Sequence, residues 1–275
     1  ETIHELHSFW HRLTREGTHL AEFAGGDTSF VCGREALRRY TLKHASRLVF
    51  SDVQSVHLAG TTAGQIVLSV GSVSMHDAAK RSAMGARLPY ATCPAPLSND
   101  AFATDRTGGT VTEPAQVAEF PAIVILDWDL CAAFGEGPNV LGLGEVFGLA
   151  TSSRDYAKTR LRPAECRTLI SLADQMTERL LESWLSGAAL WDRLALLGAC
   201  LAAKAGVIRI YGDNSPIAGA DHLVAYALAR HGLAWPHGKL VFAGALLTLP
   251  IVSEEAECLA RVLVEFGARS GLMTA

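Results

Sequence analysis

Gln65-Ile-Val-Leu-Ser-Val-Gly-Ser-Val-Ser-Met-His-Asp-Ala-Ala-Lys80 decides the fold. Its first six residues are a β-branched apolar run closed by Gly71, as expected of a strand buried on both faces of a parallel sheet. Small residues turn the chain, and a helix carrying Ala78, Ala79 and Lys80 follows. A strand, a tight turn and a helix make one βα unit, and the free amides of such a helix start attract anions. The same arrangement is common without any ligand.

More strands flank this unit. Ser29–Cys32, Arg47–Ser51, Tyr90–Cys93 and above all Ala122–Asp127 (AIVILD) read as strands, with a helix over Glu35–His44. From about Gly142 the period becomes helical. Ala164–Ser186, Trp191–Ala205, Ala220–His231, Lys239–Leu247 and Glu254–Ala268 place apolar residues three and four apart. Ser253 suits an N-cap, followed by Glu254 and Glu255 in the first turn. The expectation is an α/β N-terminal half with a mostly parallel sheet and an all-α C-terminal half, as domains 1–140 and 141–275. Ligands favour the cleft between such halves.

Composition narrows the function. With 49% hydrophobic and 19% charged residues the chain can bury a large core, so disorder is excluded. A net charge of −4 offers no field for a phosphate backbone, so no nucleic-acid partner is expected. The apolar stretch Leu240–Val252 is too short to span a bilayer and reads as a buried helix, so no membrane partner is expected either. Glu1-Thr-Ile-His-Glu lacks the regions of a signal peptide. Six isolated cysteines (Cys32, Cys93, Cys131, Cys166, Cys200, Cys258) read as reduced thiols of a cytoplasmic protein.

Candidate chemistry lies in a few places. In Cys93-Pro-Ala-Pro-Leu-Ser-Asn-Asp-Ala-Phe-Ala-Thr-Asp105 a strand runs into a loop exposing Ser98, Asn99 and Asp100. The carboxylate there suits substrate hydroxyls, and an Asx turn is the equal alternative. Glu145, His222 and His237 are one carboxylate and two imidazoles, a set that suits a catalytic Zn²⁺ or Fe²⁺ and leaves positions open. Asp221, beside His222, suits either a ligand-orienting group or an acid at a helix start. Lys158 and Arg160 read as solvated helix residues, and His4, His7 and His11 as a surface or interface face.

Taken in order, these segments resemble the glycerol-1-phosphate and glycerol dehydrogenase branch of the iron-containing alcohol dehydrogenase and dehydroquinate synthase superfamily. GSVSMHDAAK (71–80) resembles the family's GGGxxxDxAK, CPAPLSNDAFAT (93–104) its PTxxSxDxxxS, and GLGEVFGLATSSRDYA (142–157) its GxGD…DW. GADHLVAYAL (219–228) and HGKLVFAG (237–244) resemble its GSEH and HG segments. The resemblance implies a divalent metal (Zn, Fe or Ni) on Glu145, His222 and His237, and Asp100 on a substrate hydroxyl. It implies NAD(P) near Gly71, Ser72, Val73, Ser74, Ser98 and Thr104. The implied function is a polyol or sugar-phosphate dehydrogenase with a small-molecule substrate, in a homo-oligomer.

Four departures accompany the resemblance. Ser72 and Val73 replace two family glycines, Glu145 stands where the dehydrogenases usually carry Asp, and Tyr226 stands where relatives often have a third His. The chain between Asp52 and Gly71 is also short for the helix and strand the family places there. The expectation is weak or absent dinucleotide binding from a shortened nucleotide half. A non-redox lyase or cyclase, akin to dehydroquinate synthase, is therefore the alternative, and a binding or structural subunit is the third reading.

Overall fold

The structure is a computed structural model that describes residues 2–8, 21–22, 29–32, 48–50, 66–108, 116–159, 163–252 and 256–273. The expected helix over Glu35–His44, the stretch after Asp52, the cap at Ser253–Glu255, and His11 and Arg160 lie outside these residues.

Among the described residues six strands form one sheet in the order β1-β2-β6-β5-β4-β3. They are β1 (Ala21–Glu22), β2 (Ser29–Cys32), β3 (Leu48–Phe50), β4 (Ile66–Gly71), β5 (Tyr90–Pro94) and β6 (Ile123–Leu126). Only β1 runs antiparallel to its neighbour; the β2–β6, β6–β5, β5–β4 and β4–β3 pairs are parallel. Every residue of β5 and β6 is buried, as are Ile66–Ser69 of β4, which explains runs that are apolar throughout rather than alternating. In the β4–β5 register Gly71 lies opposite Pro94, so the two loops expected to carry chemistry leave the sheet side by side.

Helix α1 (Val73–Ala86) follows β4 at once. Gly71 has φ +136°, a conformation that side chains rarely adopt, and this lets the strand turn directly into the helix. The expected strands and the helix expected after Gly71 are therefore in place. Past β6 come α2 (Trp128–Ala133), α3 (Glu136–Thr159), α4 (Pro163–Leu185), α5 (Leu190–Tyr211), α6 (Ala220–Arg230), α7 (His237–Val252) and α8 (Glu257–Ser270). An α/β layer followed by helices is the fold class that the sequence implies.

Several boundaries differ from the reading. Helix α2 was not foreseen; it is six residues long and held by the Asp127 carboxylate accepting from Leu130 N (3.1 Å). Helix α3 starts at Glu136 rather than near Gly142, because its glycine-rich start mimics a loop. Leu240–Val252 is only partly buried: Leu247 and Ile251 face outward. Helix α5 is long and apolar enough to cross a bilayer by length and composition, which the sequence reading overlooked, but two thirds of its most apolar 18-residue stretch is buried inside the fold.

One hydrophobic core crosses both halves. It joins Leu97, Phe102 and Val124 of the sheet side to Leu143, Leu197 and Phe242 of the helices. Residues 3–8 are helical and pack against the helical half: Ile3 and Leu6 enter the same core, and His7 Nε2 lies 3.2 Å from Gln175 Oε1. The five described cysteines are free thiols; Cys32 has no described side chain.

Candidate metal centre

Three helices meet where the ligand candidates lie, and glycines let them. A Cβ on Gly144 of α3 would overlap the carbonyl oxygen of Gly238 on α7, and one on Gly238 would overlap that of Leu141. A Cβ on Gly244 of α7 would overlap the Asp221 carbonyl on α6. Backbone therefore touches backbone along α3, α6 and α7. Each of these glycines is next to, or on the same helix as, a ligand candidate: Gly144 precedes Glu145 and Gly238 follows His237.

That packing brings Glu145, His222 and His237 together. One ligand-capable atom from each lies within 4.8 Å of the others, the only such trio of His, Cys, Asp or Glu found among the described residues. His237 Nε2 is 3.3 Å from Glu145 Oε1, and His222 Nε2 is 3.6 Å from Glu145 Oε2. Glu145 is buried, and its Oε1 has no hydrogen-bond partner. An orphaned buried carboxylate oxygen facing one imidazole, with a second imidazole beside the same carboxylate, fits a divalent cation.

His222 is aimed from behind. Its Nδ1 lies 2.6 Å from Asp221 Oδ2, and Ser152 Oγ donates to Asp221 Oδ1 at 2.6 Å. Asp221 thus holds the His222 ring from behind and is also an acid in the first turn of α6. His237 is the open side, with 42% of its side chain exposed, and Tyr226 stacks on it at 6.0 Å between centroids.

Asp100 reaches the same place from the sheet side. Its loop is built on buried Lys80, whose Nζ donates to Ala101 O (2.6 Å), Thr104 Oγ1 (3.2 Å) and Arg106 O. Asn99 Oδ1 accepts from Ala101 N at 3.0 Å, so the Asx turn is real and belongs to Asn99, which frees Asp100 for the cleft. Lys80→Met would orphan these buried carbonyls, and it is expected to cost ~3 kcal/mol. Urea unfolding measures this, together with faster proteolysis within residues 99–107; unchanged values would refute the anchor.

Glu145, His222, His237 and Asp100 share a cleft of about 130 Å³, roughly the volume of four waters. Of the expected cofactor residues, Val73 and Thr104 line it; Gly71, Ser72, Ser74 and Ser98 do not. Lys158 is exposed at the end of α3. A larger hollow of about 630 Å³ opens against Leu88–Tyr90 and Val117–Glu119, away from the ligand cluster.

Lys204 was missed. It lies on α5 with Nζ 2.6 Å from Glu145 Oε2 and 3.2 Å from Asp100 Oδ2. The signal was a lone lysine inside Leu194–Ile208, a stretch otherwise free of charge. Burial alone would strip the ammonium of its proton, yet Asp100 and Glu145 hold it charged and raise its pKa. Burial raises Glu145, but the Lys204, His237 and His222 charges outweigh this and keep it well below the usual carboxylate range. Desolvation lowers His222, but the Asp221 carboxylate that accepts from its ring and the nearby Glu145 carboxylate push it up to about 9. His237 falls below its ordinary value, because desolvation outweighs the pull of Glu145.

The architecture has relatives among solved structures. Over 90% of this chain and 76% of theirs it is similar to the glycerol dehydrogenase of Schizosaccharomyces pombe (TM-score 0.68, 16% identity). A "probable glycerol dehydrogenase" from Sinorhizobium meliloti matches 87% of this chain (TM-score 0.62, 19% identity). An iron-containing alcohol dehydrogenase matches 93% of this chain and 87% of its own (TM-score 0.59, 15% identity). The fold is theirs. This chain spans 66% of the Sinorhizobium protein's length. Neither a family model nor a curated protein matches the sequence.

Proposed function

We propose that the chain is a metal-dependent alcohol or polyol dehydrogenase. The observation that carries this is the convergence of Glu145, His222 and His237 opposite Asp100, in a small cleft at the strand ends. A divalent ion held by Glu145, His222 and His237 would supply Lewis acidity, and a bound nicotinamide would supply a hydride acceptor. The chain's own residues bind and orient. Asp100 accepts a hydrogen bond from a substrate hydroxyl. Asp221 and Ser152 fix the ring of His222. Lys204 offsets the charge of Glu145 and Asp100. The cleft suits a short polyol. Activity with NAD⁺ or NADP⁺ on a panel of short polyols and their phosphates, restored by Zn²⁺, Fe²⁺ or Ni²⁺ after chelation, tests the reading. No turnover with any metal–nucleotide pair would defeat it. In the same assay Asp100→Asn, in folded protein, is expected to lose roughly a hundredfold in kcat/KM; undiminished turnover would remove Asp100 from the site.

One observation favours a second reading, a non-redox lyase or cyclase on this scaffold. Ser72 and Val73 carry side chains at the β4–α1 turn, where a pyrophosphate needs bare backbone, although the Ser72 cap leaves the first amides of α1 without a side-chain partner. Calorimetry with NAD⁺, NADH, NADP⁺ and NADPH separates the two. Micromolar binding of any supports the dehydrogenase, and binding of none supports the second reading.

The metal-free site is protonated at neutral pH, since His222 titrates near 9. A metal must displace that proton. Apparent affinity is therefore expected to rise ~tenfold per pH unit up to about 9 and then level off. The same raised pKa stabilises the metal-free fold below about pH 6.5, and that contribution is lost between 6.5 and 9. Titrations across pH 6–10 in buffers of differing ionisation enthalpy read both affinity and released protons. A flat profile would contradict the Asp221–His222–Glu145 arrangement.

A further inference from the structure

The ligand cluster already contains a cation. Lys204 is 1% exposed on a helix whose neighbouring residues Ala202, Ala203 and Ala205 are small and buried. Its Nζ sits between Glu145 Oε2 and Asp100 Oδ2, at 2.6 and 3.2 Å. Glu145 thus divides its carboxylate: Oε2 accepts from Lys204, while Oε1 faces His237 without a hydrogen bond.

We propose that Lys204 is an internal counter-cation to the Glu145–His222–His237 set, compensating Glu145 and Asp100 without a metal and thereby holding metal affinity below what the three ligands would otherwise reach. The inference rests on the metal reading of that trio. Its physics is charge and position. Two buried carboxylates without a counter-ion are costly, so a site lacking Lys204 would depend on the metal to assemble. With Lys204 in place the fold stands without metal. An entering dication then meets an ammonium across a single carboxylate, in a pocket with little water to screen the repulsion. The carboxylate's charge is also already shared. The consequence is an exchangeable metal in a preformed site, with Glu145 free to ligate through Oε1.

The test uses the full chain stripped by chelator. Co²⁺ is followed by its visible absorption and Zn²⁺ by competition with a chromophoric chelator, in wild type, Lys204→Met and Lys204→Arg. Lys204→Met is expected to bind both metals ~tenfold tighter or more, and Lys204→Arg, which keeps the charge, within ~threefold of wild type. Metal should also raise the melting temperature of Lys204→Met further than that of wild type, a coupling that a merely structural lysine would not show. If Lys204→Met does not fold without metal, the comparison is Asp100→Asn against Asp100→Asn/Lys204→Met, which again should gain affinity. Binding by the methionine variant where wild type binds poorly supports the proposal. Metal bound by wild type but no tighter by the folded methionine variant overturns it and leaves the metal reading standing. Binding by neither overturns both.

Discussion

A single methyl group on Gly144 is expected to cost this protein both stability and its metal. Gly144 and Gly238 hold α3 and α7 in backbone contact, and the atom that a Cβ would meet is a carbonyl oxygen, which has no rotamer to escape into. Gly144→Ala must therefore push the helices apart, at ~3 kcal/mol. Glu145 rides on the next residue of α3 and His237 on the facing turn of α7, so the same displacement separates two ligands. Urea unfolding and Zn²⁺ titration of the variant read both losses. Gly137→Ala is the control: it lies on α3, a Cβ there meets nothing within 4 Å, and its stability should change by less than ~1 kcal/mol. Wild-type stability and metal affinity in Gly144→Ala would remove the packing argument.

The second large effect belongs to Glu145→Gln. The substitution keeps shape and removes the charge that faces Lys204, His222 and His237 at once. If one ligand of three carries about a third of a binding energy of ~12 kcal/mol, metal affinity should fall ~1,000-fold. Asp221→Asn, one bond further back, should cost only ~10–100-fold. Glu145→Gln also leaves the buried Lys204 with Asp100 as its remaining partner, so the metal-free protein should lose ~3 kcal/mol. Calorimetric titration and thermal unfolding of the three proteins give the order. Asp221→Asn weaker than Glu145→Gln would mean that the ligand role is misassigned.

The sequence carried much of this architecture, for identifiable reasons. β4, β5 and β6 are buried on both faces, so their runs of Ile, Val and Tyr stand out against any background. The α3 boundary was lost because Gly137, Gly142 and Gly144 look like a loop, although Gly142 is there for the close approach of the Leu97 carbonyl after β5 and Gly144 for that of the Gly238 carbonyl on α7. Glu145, His222 and His237 were found as residues in familiar surroundings, not as a geometry; 77 and 15 positions apart, they have no spacing that demands a common point. Asp100 was placed correctly in the cleft, but its partner was invisible. Lys204 is meaningful only once α5 is packed against α3 and the Asp100 loop. Lys80 likewise read as the end of a motif, while its work is to hold the loop at Ala101 and Arg106 in shape.

X-ray absorption at the Zn edge, on protein loaded with one equivalent of Zn²⁺ and freed of excess, tests the central claim most directly. The account predicts two imidazole scatterers and one carboxylate oxygen at about 2.0–2.2 Å, with a solvent oxygen completing the shell. It further predicts that both imidazoles vanish from the spectrum of a folded His222→Ala/His237→Ala variant. A shell of oxygens alone, or an unchanged spectrum in that variant, would contradict it.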